Sequence, residues 1–196
     1  MIRFTFPDAA AIEAYLAQQA GQRFTYADQG KTAGALPPGY NIDHTRMKIG
    51  HGSEDFAAAR EALVRWRQFE LGWVTTLPRE THIREGEMVA IVGNTLGCYW
   101  LNACRIVYVM DDSLGAARFG FAYGTLPDHV GSGEERFLVE MDEQGDVWYD
   151  LLAFSRPHGL FGNLGYFYLR RLQKKFGRES AARMKRMVAE STAPLP

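Results

Sequence analysis

The sequence predicts an α+β domain in which a curved antiparallel sheet is closed by a long C-terminal helix. Three observations carry this expectation. Between about residues 70 and 154, six short apolar or alternating runs follow one another with turn-like links, the mark of an antiparallel meander. Phe161, Leu164, Tyr168, Leu172 and Phe176 then recur at three- and four-residue spacing, which is one apolar stripe of a helix. A sheet with one apolar face and a helix with one apolar side each need covering, and each can cover the other.

The elements follow in order. Residues 2–6 alternate as a short strand. Pro7 and Asp8 open a helix to about Gln19, with Ile12, Tyr15, Leu16 and Gln19 at helical spacing and Gly21 as its stop. Residues 27–39 hold two prolines and three glycines and read as a loop. A strand starts at Tyr40. Ser53 stands as the N-cap of a second helix, with Glu54 and Asp55 in its first turn. Its stripe is Phe56, Ala59, Leu63 and Trp66, and it runs to about Gln68.

The meander comprises the run Leu71–Leu77, then 88–93, 100–110, 118–124, 136–141 and 147–154. Asp142 to Asp146, with Gly145, is a hairpin link. Phe119, Phe121 and Tyr123 share one face, as do Phe137, Val139 and Met141. Pro157, His158 and Gly159 end the last strand. Gly177 marks a kink or division in the closing helix, whose stripe continues through Met184, Met187 and Val188. The tail, residues 191–196, should fray. The chain reads as a single domain: residues 1–39 are an N-terminal extension of helix and loop, and 40–192 are the core. This is the element order of the helix-grip fold, as in START and Bet v 1-like proteins.

Composition bounds the function classes. The chain has 196 residues, 46% hydrophobic and 23% charged, which is ordinary globular composition. A formal net charge of −1 gives no overall electrostatic case for nucleic acid or a membrane surface. Two cysteines, Cys98 and Cys104, lack metal or redox spacing and read as buried free thiols. No apolar run reaches the ~18 residues of a membrane helix, and Asp8 and Glu13 interrupt any leader-like core. The expected location is the cytoplasm.

Several strings resemble the family known as domain of unknown function 1990, also called uncharacterised protein family 0548. Phe24-Thr25-Tyr26, followed by Gly30 and Thr32, is similar to its N-terminal signature, as is Pro38-Gly39-Tyr40. The strongest stretch runs from Gly120 to Pro157, and Trp100 to Val109 and the closing Arg170 to Phe176 also fit. The resemblance covers about Phe24 to Val188. It implies no activity, cofactor or catalytic residue, because the family has none established.

The sequence holds no phosphate-binding glycine loop, no dinucleotide fingerprint, no zinc-protease helix and no serine-hydrolase elbow. Tyr123, Thr125, Asp128, His129, Glu134, Glu135 and Arg136 lie within 14 residues. His129 is a candidate base, with Glu134 or Glu135 as its carboxylate; the plainer reading is a polar connecting loop. Arg105 in an apolar strand would be costly facing inward unless paired. It meets a carboxylate, forks onto a ligand anion, or points outward to solvent. Aromatic residues on the sheet and helix line a cavity or simply fill a core. The five histidines are dispersed, so no metal site is expected. From Arg170 to Arg186 basic residues dominate, either as a solvated helix face or as a surface for phosphate, acidic lipid or nucleic acid.

The leading expectation is a small, mostly apolar ligand held between sheet and C-terminal helix. Arg105, Tyr123, Tyr149 and Tyr168 are the candidate polar anchors, and Trp100, Phe121, Phe137 and Leu172 the apolar wall. No cofactor or metal is expected, and nucleic acid and membrane are disfavoured as partners. The alternatives are proton-transfer catalysis in the same cavity by His129 with Glu134 or Glu135, and an interaction module built on the basic helix.

Overall fold

The computed structural model describes residues 1–95, 97–112, 117–159 and 165–191. Strand β1 (Ile2–Arg3) precedes helix α1 (Ala9–Gln19), whose N-cap Asp8 accepts from the Ala11 N–H at 2.8 Å. Strand β2 (Asn41–His51) leads into α2 (Gly52–Val64). Six strands follow: β3 (Val74–Leu77), β4 (Met88–Thr95), β5 (Cys98–Asp111), β6 (Arg118–Thr125), β7 (Gly131–Met141) and β8 (Asp146–Pro157). Helix α3 (Tyr166–Ser191) closes the described chain.

The strands form one antiparallel sheet in the order β2-β8-β7-β6-β5-β4-β3, with β1 added beside β5. The meander β3 to β8 is sequential, and β2 returns to pair with β8 at the far edge. This is the expected helix-grip fold. One face of the sheet packs against α2 and α3 through Ile106, Phe121, Phe137, Val139, Tyr149, Leu63, Phe176 and Met184. The opposite face is covered at β4 and β5 by α1, through Ile12, Tyr15, Val92, Leu101 and Ala103. The N-terminal extension is therefore an outer layer of the sheet.

Several boundaries differ from expectation for local reasons. Strand β1 stops at Arg3 rather than residue 6. Helix α2 begins at Gly52, not after Ser53; His51 is its N-cap, and the Asp55 carboxylate accepts the His51 N–H at 2.8 Å. That helix ends at Val64 because Trp66 adopts the left-handed conformation, φ 57°, and a 3-10 turn, Arg67–Phe69, follows. Strand β7 begins at Gly131, five residues before the expected start, so Glu134 and Glu135 lie in a strand and not in a loop. The two glycines there hide the strand, since glycine is a poor strand former.

Helix α3 runs unbroken through Gly177. A Cβ there would stand 2.6 Å from Thr45 Oγ1, so this glycine permits close packing on β2 rather than a kink. The expected helix start at Phe161 and Leu164 and the expected tail beyond Ser191 lie outside the described residues. Gly133 is tighter still: its Cβ would meet the Phe154 carbonyl oxygen at 1.9 Å. Gly133→Ala must therefore push β7 and β8 apart. The expected result is a stability loss of about 2 kcal/mol or more by urea denaturation.

Candidate functional site

Alternation along the strands decides which side chains face inward. On β5, Trp100, Asn102, Cys104 and Ile106 face the helices, whereas Leu101 and Ala103 face α1. On β7, Glu135, Phe137 and Val139 face inward. On β8, Val147, Tyr149, Leu151 and Ala153 do so.

The concave groove is filled along half its length. After the left-handed Trp66, the 3-10 turn drives Phe69 down onto the sheet. Phe69 lies 5.5 Å from Phe137 and 4.9 Å from Phe176, centroid to centroid. Trp66 meets Phe121 at 4.8 Å, and its indole N–H donates to the Thr81 carbonyl at 2.9 Å. These rings close the α2 end of the groove.

The other half is open space of about 570 Å³. Its sheet side is Val74, Ile91, Gly93, Cys98, Trp100, Asn102 and Tyr123. Its helix side is Tyr168, Leu169, Leu172, Gln173 and Phe176 of α3, and residues 129–131 contribute a rim. That volume suits a small organic molecule, and the lining is mainly apolar with a few convergent polar groups.

Helix α3 is fixed over this space by polar clasps along its length. The Arg170 guanidinium pairs with Asp43. Gln173 Nε2 donates to Ser155 Oγ at 3.0 Å, and Tyr149 Oη lies 2.7 Å from Ser180 Oγ. Trp73 Nε1 donates to Glu179 at 2.6 Å, and Arg183 pairs with Glu70 at 2.6 Å. Part of the helix's basic charge is thus committed to docking. Arg171, Lys174, Arg178, Lys185 and Arg186 remain on its outer side.

Glu135 is the ionisable group at the cavity floor. The register places it directly opposite Tyr123, whose hydroxyl donates to Glu135 Oε2 at 2.5 Å. Burial pushes the Glu135 carboxyl up to about 7, the Tyr123 hydrogen bond works against this, and the charge of Asp43 adds to it. Burial also pushes the Tyr123 hydroxyl far up, so it remains a neutral donor at physiological pH. Glu135 also borders a smaller polar pocket formed with Asp43, His44, Lys174 and Arg178.

The residues singled out in the sequence separate into groups. Trp100, Tyr123, Tyr168, Leu172, His129, Glu134 and Glu135 line the cavity. Phe121, Phe137 and Tyr149 face the same way but lie fully buried in the filled half of the groove, so they support the site without bordering it. The Tyr149 hydroxyl is committed to Ser180.

Arg105 requires correction. It lies on the opposite face of β5 and reaches the C-terminal end of α1, donating to the carbonyls of Gln19 at 3.3 Å, Ala20 at 2.6 Å and Gln22 at 3.1 Å. A guanidinium there satisfies carbonyls that a helix end leaves unpaired.

Glu134 borders the cavity, but its role requires correction, because adjacent strand residues face opposite ways. Its carboxylate turns to the outer face and accepts from Tyr26 Oη, the Gly30 N–H and both the N–H and hydroxyl of Thr32, at 2.6–3.0 Å. It anchors the N-terminal loop.

His129 borders the cavity, but burial pushes its imidazole down to about 4. Its Nδ1 lies 2.9 Å from the Gly131 backbone nitrogen and 3.1 Å from the Gly131 carbonyl oxygen. The Gly131 backbone thus holds this edge of the ring, and burial keeps the imidazole neutral at physiological pH.

Two residues missed at the sequence level matter here. Gly93 faces the cavity with no atom within 4 Å of where its Cβ would be. Phe69 forms the plug, and only its left-handed entry explains its position. Of the two thiols, Cys104 is buried, whereas Cys98 is half-buried at the cavity wall. Among the described residues no cluster of His, Cys, Asp and Glu could hold a metal ion, and no helix is long and apolar enough to cross a membrane.

The model of a family described as "Domain of unknown function (DUF1990)" matches residues 25–183. A UPF0548 protein of Dictyostelium discoideum is 32% identical over 210 residues, covering 97% of this chain and 97% of that protein. Among solved structures, the hypothetical protein jhp0584 from Helicobacter pylori is similar with a TM-score of 0.52 at 12% identity, covering 86% of this chain and 96% of the other. TTHA0849 from Thermus thermophilus is similar with a TM-score of 0.51 at 14% identity, covering 78% of this chain and 100% of the other. At such identities the two structures speak to the fold alone.

Proposed function

The chain belongs to the DUF1990 family, one of unknown function, and we propose that it binds a small, mostly apolar ligand in the cavity between β3–β6 and the first half of α3. The observation that carries this reading is the unfilled half of the groove. A sheet and helix that pack densely on Phe69, Phe121 and Phe137 leave about 570 Å³ open beside them. Empty apolar space weakens packing by roughly 24 cal/mol per Å³ in engineered cores, so a fold does not gain stability from it. Trp100, Ile91, Val74 and Leu172 supply apolar contact, and Tyr123, Glu135 and Asn102 supply polar ends. Tyr168, in the first turn of α3, lines the cavity and is 44% exposed.

Gly93→Trp tests the reading. A Cβ at this strand position would meet no atom within 4 Å, so the new side chain starts from open space at the cavity wall. Binding of a neutral apolar probe such as 2-naphthalenemethanol, followed by tryptophan fluorescence and calorimetry, is expected to weaken at least about tenfold, or 1.4 kcal/mol. The melting temperature should not fall, since glycine inside a strand is itself unfavourable. Equal affinity in the variant and the parent protein would sink the cavity reading.

A second reading, proton transfer in the same cavity, has one observation in its favour. A carboxyl held near 7 beside a neutral phenol suits acid–base exchange at neutral pH. In that reading Glu135, and not His129, carries the proton.

A further inference from the structure

We propose that the cavity selects ligands carrying a cationic amine, with the ammonium held by Glu135 and Tyr123 and the apolar body lying between the sheet and α3. The inference rests on the ligand-binding reading above and names its substrate class. Its basis is an imbalance of charge. Among the described residues, the lining contains Glu134 and Glu135 and neither lysine nor arginine; the Glu134 carboxylate is taken up by Tyr26, Gly30 and Thr32, which leaves Glu135 as the carboxylate open to this space. Among those residues Glu135 forms no ion pair, whereas Asp43, Glu70, Asp150 and Glu179 each have a cationic partner. A half-buried carboxylate with one neutral donor is under-compensated, and a ligand cation supplies what the protein withholds.

The surrounding surface fits the same partner. Tyr123 donates to Oε2, which leaves the carboxylate as an acceptor toward the cavity. Trp100, Phe69 and Phe176 present aromatic surface, which attracts an ammonium through the ring quadrupole. An anionic ligand would instead meet Glu135 without a positive group to offset it. Each element packed around Glu135 contributes to the local charge balance. β2 brings Asp43 and His44, β5 brings Cys104, β8 brings Tyr149, and α3 brings Lys174 and Arg178 at the smaller pocket. Asp43 is committed to Arg170 and His44 to Asp150. Lys174 and Arg178 are exposed and do not border the main cavity.

The linkage has a definite sign. An ammonium at Glu135 favours the carboxylate, so amine binding expels a proton from the protonated fraction and strengthens as pH rises through 7.

Three probes with one apolar body test the proposal: 2-naphthylmethylamine, 2-naphthalenemethanol and 2-naphthoic acid. Each is titrated calorimetrically into the full chain at pH 7.5, in two buffers of different ionisation heat. The amine is expected to bind about tenfold or more tighter than the alcohol, and the acid weakest. The heat of amine binding should depend on the buffer in the direction of proton release. In Glu135→Gln the amine-to-alcohol affinity ratio should collapse to within about threefold, with folding checked by thermal melting. The proposal is overturned if the alcohol binds as tightly as the amine, if the acid binds best, or if the ratio survives in Glu135→Gln. Those outcomes leave the apolar-cavity reading standing. Failure of all three probes to bind overturns both.

Discussion

Glu134→Ala is expected to lower stability by about 3 kcal/mol or more and to release the N-terminal loop from the sheet. Glu134 is 2% exposed, and its two oxygens accept four hydrogen bonds from a segment about a hundred residues earlier in the chain. Truncation leaves the Gly30 and Thr32 N–H groups and the Tyr26 and Thr32 hydroxyls without their acceptor. Leaving buried donors unmet costs more than a single contact is worth. The adjacent Arg136 shares this junction, donating to the Thr32 carbonyl at 2.9 Å and to Asp150 at 2.7 Å, so the loosened loop also exposes that pair. Urea denaturation measures the loss. Hydrogen exchange at residues 25–34 should speed up before the core does. A loss under about 1 kcal/mol would show that the loop is held chiefly by Tyr26 packing on Phe154.

The second large effect has the opposite sign. Glu135→Gln is expected to stabilise the protein at pH 8 by about 2 kcal/mol, a figure already reduced for the solvent access that the cavity gives the carboxyl. In the folded chain this carboxyl holds its proton to about 7, against an ordinary value of 4.5. Between those values the folded state carries the extra proton. The stabilising contribution is therefore complete below about 4.5 and is lost as pH rises through 7. Glutamine does not titrate, so the two proteins should differ least at pH 4.5 and most above pH 7. Denaturation midpoints at several pH values read this directly. A variant that is less stable than the parent at pH 8 would mean that the carboxylate is compensated by a partner in the folded chain. A protein that keeps a destabilising ionisable group in a cavity has the pattern of a functional site rather than a structural one.

How much of this is legible in the sequence differs from residue to residue. The sheet is readable because Phe119, Phe121 and Tyr123, and Phe137, Val139 and Met141, alternate cleanly. Extending the second series backward by one step reaches Glu135, so the signal that separates it from Glu134 is present. Gly131 and Gly133 conceal it by making the strand look like a loop. Arg105 is rightly marked as unable to face inward unpaired, but its partners are backbone carbonyls at the end of α1, and carbonyls leave no mark in a sequence. Phe121, Phe137 and Tyr149 fall on the correct face. Their exclusion from the cavity depends on Phe69, and Phe69 reaches them only through the left-handed turn at Trp66. Such a turn is set by tertiary packing, because a bulky residue does not favour it locally. His129 looks like a base by type alone; the Gly131 backbone that holds its Nδ1 follows from a turn geometry the residues do not announce.

We propose the space between β3–β6 and α3 as a ligand site with Glu135 at its floor. A crystal structure of the protein soaked with 2-naphthylmethylamine tests it most directly. The expected result is one molecule with its ring against Gly93, Trp100 and Leu172 and its nitrogen within hydrogen-bond distance of Glu135. An empty or collapsed cavity, with the molecule bound only on the outer surface, would contradict the account.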